Sequence, residues 1–111
     1  MAELADWLAP LAAFEQAMAA SGEPHHTGLR HGTMRVLLYR PVGEDTQTPH
    51  RQDEIYIVRQ GRAQFRRDGE VRAVGAGDCL FVPATMPHRF EDFSADFDCW
   101  VVFWGPEGGE S

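Results

Sequence analysis

The segment Thr48–Gly61, T-P-H-R-Q-D-E-I-Y-I-V-R-Q-G, contains one histidine, His50, followed after three residues by Glu54. Isoleucine, tyrosine and valine follow Glu54, and Gly61 ends the run, which is the composition of a β-strand that leads into a turn. His50 and Glu54 are separated by an even number of positions, so along a strand both side chains lie on one face, continued by Tyr56. The segment therefore predicts a strand that presents an imidazole and a carboxylate on the same side.

A second segment, G-D-C-L-F-V-P-A-T-M-P-H over residues 77–88, contains another isolated histidine. His88 follows a turn and opens the next predicted strand. Two imidazoles and one carboxylate that converge inside a barrel form a metal-binding set with open coordination positions for water, substrate or dioxygen. The residue types alone leave a purely structural role open for each of the three.

Short apolar segments alternate with turn signals beyond residue 32, and no helix is predicted between them, which favours a sandwich or a barrel. The Asp68-Gly69 pair predicts a tight hairpin. Residues 97–104 are apolar on both faces and must be covered on both, either by an N-terminal helix or by a second subunit. The eight predicted strands are 33–40, 47–50, 54–60, 62–67, 70–74, 79–83, 88–92 and 97–104.

Residues 3–20 have apolar side chains at spacings of three and four, which predicts a helix that packs on the strands. We expect Pro10 to kink or split this helix and Gly22 to cap its end. Residues 22–32 are predicted to form a loop, in which three histidines lie: His25, His26 and His31.

The two histidine segments resemble the two halves of the cupin motif. His50, Glu54 and Gly61 fall on the second His, the Glu and the Gly of the first half, and Gly77, Pro83 and His88 match the second half. The resemblance implies an all-β fold, a double-stranded β-helix or jelly-roll barrel over residues 33–104. Residues 1–22 would form the helix that packs on it, and 105–111 a mobile tail.

The resemblance also implies that His50, Glu54 and His88 bind a divalent transition metal such as Fe, Mn, Ni or Zn. Typical cupins use three His and one Glu, but Thr48 stands here in place of the first motif His. Thr85 and Asp92 are departures at turn positions. The metal could bind through three residues and a water, Gln47, Gln52 or His31 could complete the site, or the pocket could bind a small molecule without metal. The candidate pocket residues are Gln47, Thr48, Gln52, Tyr56 and Phe90.

The composition excludes several classes of function. The net charge of −7 disfavours binding to a nucleic-acid backbone, and no apolar run is long enough to span a membrane. Acidic residues near the N-terminus are unlike a signal peptide, so a cytoplasmic location is expected. We expect Cys79 and Cys99 to be buried and unpaired, the strand arginines to be solvated, and the acids at residues 53–54 and 92–97 to lie at the barrel mouth.

Two functions are compatible with these features. The first is a metal-dependent enzyme, an oxygenase or isomerase acting on a small organic molecule, with Tyr56 and Asp53 as the evident acid–base groups. The second is a non-catalytic module that binds a small molecule as a sensor or carrier. In either case a homodimer is expected, because single-domain cupins commonly pair.

Overall fold

A computed structural model describes residues 7–111 as one helix and eight strands in two antiparallel sheets. The larger sheet has the order β1-β2-β8-β3-β6 and the smaller has the order β5-β4-β7, which confirms the predicted all-β double-sheet barrel. The elements are α1 Leu11–Ser21, β1 His25–His31, β2 Met34–Tyr39, β3 Asp53–Gln60, β4 Arg62–Arg67, β5 Glu70–Gly75, β6 Cys79–Val82, β7 His88–Glu91 and β8 Asp98–Trp104.

The core lies between the two sheets and follows from strand alternation. On β3, Glu54, Tyr56 and Val58 point inward and are at most 1% exposed, whereas Ile57 points outward and is 40% exposed. The buried aromatic side chains pack against one another, and the rings of Tyr56 and Phe90 meet edge to face with their centroids 5.0 Å apart. Both side chains thus face the barrel interior, as their parity with Glu54 and His88 predicts.

Two turns position the strands around the site. Asp68 and Gly69 both have positive φ, 49° and 87°, and join β4 to β5 in the predicted hairpin. Gly61 has φ of 79°, and a Cβ at this position would lie 2.6 Å from Phe97 Cα. The close approach of these two backbones therefore requires glycine.

The helix predicted for residues 3–20 begins only at Leu11, and residues 3–6 lie outside the described part of the chain. Pro10 has φ −65° and ψ 146°, an extended conformation, and serves as the N-cap. The expected kink is therefore wrong: a proline has no backbone N–H to donate within a helix, and here it marks the start. Gly22 caps the other end in the left-handed region, and its N–H donates to the Met18 carbonyl at 2.8 Å.

The helix covers part of the outer face of the larger sheet. Phe14 and Met18 are buried against Leu38 and Trp100, and the rings of Phe14 and Trp100 are 5.0 Å apart. The helix thus accounts for the apolar outer face at the beginning of β8.

Two sequence predictions about the strands are wrong. The predicted loop 22–32 contains β1, which pairs with β2 at the edge of the larger sheet. The polar sequence of β1 gives no strand signal, because an edge strand with much exposed surface need not show apolar alternation. Residues 47–50 form no strand: Pro49 removes a backbone donor, and the segment is instead bonded to Asp45.

The cysteines and the tail differ in part from expectation. Both thiols are free, but Cys79 is exposed, because it lies on the outer face of β6, whereas Cys99 is buried as predicted.

The predicted mobile tail 105–111 makes hydrogen bonds to the start of β3, from Gly108 N to the Arg51 carbonyl and from Glu110 N to the Asp53 carboxylate. Within residues 7–111, no helix has the length and apolarity required to cross a membrane.

Candidate metal centre

The structure brings together the three predicted ligands from different parts of the chain. Potential ligand atoms of His50, Glu54 and His88 all lie within 4.8 Å of one another. Glu54 comes from β3 and His88 from β7 of the opposite sheet, whereas His50 lies in the loop that precedes β3. His88 Nε2 is 3.2 Å from Glu54 Oε1, and His50 Nε2 is 4.0 Å from Glu54 Oε2. The shared-strand argument for His50 is therefore wrong, although its side chain reaches the same site.

Glu54 is the feature that most directly fits a cation. The residue is 1% exposed, and its Oε1 atom has no hydrogen-bond partner among the described residues while His88, 3.2 Å away at Nε2, is neutral. Leaving a buried acceptor unsatisfied carries a large free-energy penalty, more so for a charged group. A divalent cation held between this oxygen and the two imidazoles would satisfy it, and two imidazoles with a carboxylate suit Fe, Mn, Ni or Zn.

His88 is oriented as metal-binding histidines usually are. Its Nδ1 lies 2.8 Å from the Met86 carbonyl, to which only a protonated nitrogen can donate. In the neutral ring this leaves the Nε2 lone pair directed toward Glu54 and the Tyr56 hydroxyl, which is 3.0 Å away. Burial lowers the pKa of His88, but Glu54 and the Met86 carbonyl outweigh burial, so that the pKa is raised overall.

His50 and Tyr56 complete the polar end of the cavity. Burial lowers the pKa of His50, against the opposing effect of Glu54, and so favours the neutral ring that a metal requires. The His50 ring lies edge-on to Phe103 at 4.9 Å. Burial, with Glu54 adding to it, raises the pKa of Tyr56 well above its ordinary value and keeps the phenol protonated.

Gln47 places a further oxygen in the same cluster. Its Oε1 is 3.0 Å from His50 Nε2 and accepts a hydrogen bond from the Tyr56 hydroxyl at 2.9 Å. Its Nε2 donates to Asp45 Oδ2 at 2.8 Å, which orients the amide so that the oxygen faces the site. Gln47, not Thr48, is therefore the residue of this loop that faces the other ligands.

Asp45 is a residue that the sequence analysis missed. It is buried and also accepts hydrogen bonds from the Tyr39 hydroxyl at 2.6 Å and from the Phe90 backbone N–H at 2.8 Å. It further accepts from the Gln47 backbone N–H, two residues on. That local contact is typical of aspartate in turns, and it is the signal by which Asp45 could have been found.

His50 and Glu54 line a cavity of about 240 Å³, whereas His88 is not among the residues of its wall. Of the predicted pocket residues, Gln47 and Tyr56 line this cavity, whereas Thr48, Gln52 and Phe90 are not among the described residues of its wall. Thr48 is exposed, and Phe90 is part of the core. The wall consists of His25, Arg35, Leu37, Tyr39, Gln47, His50, Glu54, Tyr56, Val101 and Phe103. A larger depression of about 400 Å³ over β4–β6 contains none of the three ligands.

Comparison with solved structures supports the fold. The barrel is similar to KdgF from Halomonas sp., with a TM-score of 0.65 and 19% identity, over 75% of this chain and 78% of that one. It is also similar to a cupin superfamily protein from Desulfitobacterium hafniense, with a TM-score of 0.63 and 19% identity, over 74% and 76% of the two chains. At these identities the likeness establishes the architecture alone.

Comparison of the sequence establishes the family. An uncharacterised protein of Streptomyces coelicolor is 39% identical over 95 residues, which cover 84% of this chain and 90% of the relative. A family model described as a cupin domain matches residues 35–103, a range that contains all three ligands of the candidate centre. The chain belongs to the cupin family and is a small single-domain member of it.

Proposed function

We propose that this protein is a metal-dependent cupin that holds one divalent transition metal ion through His50, Glu54 and His88 and acts on a small organic molecule. The observation that carries the proposal is the buried Glu54 Oε1, which lies 3.2 Å from His88 Nε2 and, when that ring is neutral, has no hydrogen-bond partner among the described residues. The donor set suits Fe, Mn, Ni or Zn.

The surrounding residues are suited to an oxygenase or isomerase reaction. A bound metal would supply Lewis acidity to an oxygen of the substrate, or an open position for dioxygen. The Tyr56 hydroxyl, hydrogen-bonded to Gln47 and lying 3.0 Å from His88 Nε2, can hold or deliver a proton next to that position. The apolar wall formed by Leu37, Val101 and Phe103 would exclude water from the reacting atoms.

Gln47 supplies the oxygen that completes the centre in place of the histidine absent at position 48. Its amide is fixed by Asp45, and its Oε1 is within 3.0 Å of both His50 Nε2 and the Tyr56 hydroxyl. A neutral amide oxygen is a weaker ligand for a transition metal than imidazole, so this substitution lowers affinity without closing the site.

The first test is the metal content of the protein purified without chelator, followed by affinity measured through chelator competition. We expect one equivalent of metal in the wild type. Gln47→Ala should weaken binding about tenfold to a hundredfold, the usual range for perturbing the groups around a metal. Thr48→Ala is the matched control, since it alters the exposed neighbour in the same loop, and should leave the affinity unchanged.

Two results would contradict this proposal. If the wild type bound no metal after incubation with each of the four ions, the cavity would be that of a non-catalytic cupin module that binds a small molecule. If Thr48→Ala weakened binding and Gln47→Ala did not, the fourth position would belong to Thr48, and the assignment of Gln47 would be wrong.

We also propose that the protein is a homodimer that pairs through the uncovered outer face of the larger sheet. The helix covers this face near Trp100, but Ile57 and Phe81 remain 40% and 49% exposed. They form one surface, because Ile55 pairs across the sheet with both Phe81 and Val102. A contiguous apolar patch of this kind marks an interaction surface more often than a free one.

If this face is the dimer interface, a charged side chain introduced into it should dissociate the dimer. Phe81→Glu should shift the protein from dimer to monomer in sedimentation equilibrium, since it would bury an unpaired carboxylate in the interface. Val71→Glu is the matched control: Val71 is also 40% exposed, but it lies on β5 in the smaller sheet. A wild type that is monomeric at all concentrations, or a monomer produced equally by both variants, would rule out this interface.

A further inference from the structure

Arg35 occupies an unusual position for a strand arginine. It lies on β2, where it alternates with Leu37 and Tyr39 on the inward face, and all three residues line the cavity whose wall also includes His50 and Glu54. Among the described residues of that wall, Arg35 is the only one with a guanidinium group. The expectation that this arginine belongs to a solvated strand face is therefore wrong.

Neutral groups hold the Arg35 side chain in place. Its guanidinium carbon lies 4.6 Å from the centroid of the Phe103 ring, and Nη2 donates to Gln52 Oε1 at 3.1 Å. Gln52 is itself fixed, because its Nε2 donates to the carbonyls of Thr33 and Gly105, each at 3.0 Å. Among residues 7–111, no carboxylate forms an ion pair with Arg35 within 4.0 Å. A stacked, oriented guanidinium without a protein counter-ion is prepared to bind an anion.

Apart from Glu54, the acids expected at the barrel mouth do not neutralise this charge. Asp53 accepts backbone hydrogen bonds from Ala84 and Glu110, and Asp92 and Asp96 are not among the residues that line the cavity. Glu54 is the only acidic residue among those that line the cavity. With a divalent metal ion beside Glu54, the wall carries more positive than negative charge and favours an anionic ligand.

We infer that the cavity takes a small carboxylic acid, whose carboxylate is bound by Arg35 while another part of the molecule reaches the metal centre; the second half of this statement rests on the proposed function. One guanidinium matches one carboxylate in charge and in its paired donor geometry. A phosphate monoester carries up to two negative charges and needs more donors. The cavity of about 240 Å³ restricts the ligand to a small molecule.

The test compares acids with their amides on the same protein. Pyruvate, succinate and glutarate, their amides and methyl phosphate would be titrated into metal-free and zinc-loaded protein, with binding followed by amide chemical shifts. The variants are Arg35→Met, Arg35→Lys and the control Arg72→Met. Arg72 is a matched arginine on the other sheet, where it makes an exposed ion pair with Glu70. Zinc content is measured for every sample.

We expect at least one acid to bind more tightly than its amide and than methyl phosphate, with shifts around β2 and β8. Arg35→Met should weaken that binding at least about tenfold, the equivalent of one charge-assisted hydrogen bond. Arg35→Lys should recover only part of it, since a point charge does not replace a planar fork. Arg72→Met should leave it unchanged, and the zinc content should be the same in all four proteins.

Several outcomes would overturn the inference: acids that bind no better than amides, methyl phosphate that binds best, or acid binding that Arg35→Met leaves intact. A protein without zinc whose acid preference still depends on Arg35 would refute the metal centre and retain the carboxylate site. Normal zinc content with no preference for acids would refute the carboxylate site and retain the metal centre.

Discussion

His50→Ala, His88→Ala and Glu54→Gln should each yield a folded barrel that no longer retains stoichiometric metal. Each variant removes one of three ligand atoms that lie within 4.8 Å of one another, and the oxygen of Gln47, assigned to the fourth position, cannot also fill the position that is lost. His88→Ala also leaves a cavity in a wholly buried position, so Glu54→Gln, which preserves volume, is the variant that best separates metal loss from unfolding.

Elemental analysis of each purified variant, after incubation with excess metal and removal of the unbound ion, measures the effect. His31→Ala is the matched control, because His31 is exposed on β1 and is not part of the cluster. It should retain one equivalent. Full occupancy in any of the three ligand variants would show that the residue concerned does not bind the metal, provided that circular dichroism shows a folded chain.

Glu54→Gln should be more stable than the wild type without metal and should gain no stability when metal is added. Without metal and above the pKa of His88, Glu54 Oε1 has no hydrogen-bond partner among the described residues, and the amide in Glu54→Gln can donate to the neutral ring at Nε2. We expect the metal-free variant to be more stable than the metal-free wild type by about 1–3 kcal/mol. Metal at a hundred times its dissociation constant should stabilise only the wild type, by about 2.7 kcal/mol. Urea unfolding with and without metal measures both differences.

The sequence predicted most of the barrel because its strongest local signals coincide with inward-facing strands. β3 is an example: alternate residues are buried, and a glycine that must have positive φ ends the strand. β1 was missed because its sequence, H-H-T-G-L-R-H, has few apolar residues and depends on pairing with β2. Such pairing is a tertiary effect, which local propensity does not encode.

The candidate site was also predicted only where local sequence signals exist. The motif spacing brought out His50, Glu54 and His88, which the structure places together. The role of Gln47 depends on a hydrogen bond to Asp45, within an irregular loop where no periodicity applies. Arg35 was assigned to solvent because the direction of its side chain is known only when the register of β2 against β8 is known.

Asp98 is a buried charge within a strand that the sequence predicts to be apolar. It begins β8, and its side chain is 0% exposed. Two arginines expected in solvent, Arg40 and Arg59, donate to it at 2.7 Å and 2.8 Å. Arg40 also reaches Glu15 of the helix at 2.9 Å. The cluster therefore joins the helix, β3, β8 and the residue that follows β2, and none of its members lines the cavity.

Asp98→Asn should lower the free energy of unfolding by about 2–4 kcal/mol, measured by urea denaturation of metal-free protein. Removing one partner of a buried ion pair costs about 3–5 kcal/mol, because the other charge stays buried. The arginine side chains here are 32% and 23% exposed, so water can recover part of that loss.

Glu70→Gln is the matched control for this prediction, since it makes the same carboxylate-to-amide change in a pair with Arg72 whose side chains are 60% and 77% exposed. It should change stability by less than about 0.5 kcal/mol, as surface pairs usually do. If Asp98→Asn were equally small, the two arginines would be solvated well enough without their partner, and the cluster would not contribute to holding the helix on the sheet. If Asp98→Asn caused a large loss and combining it with Arg59→Met caused no further loss, the buried carboxylate and its arginines would act as one unit.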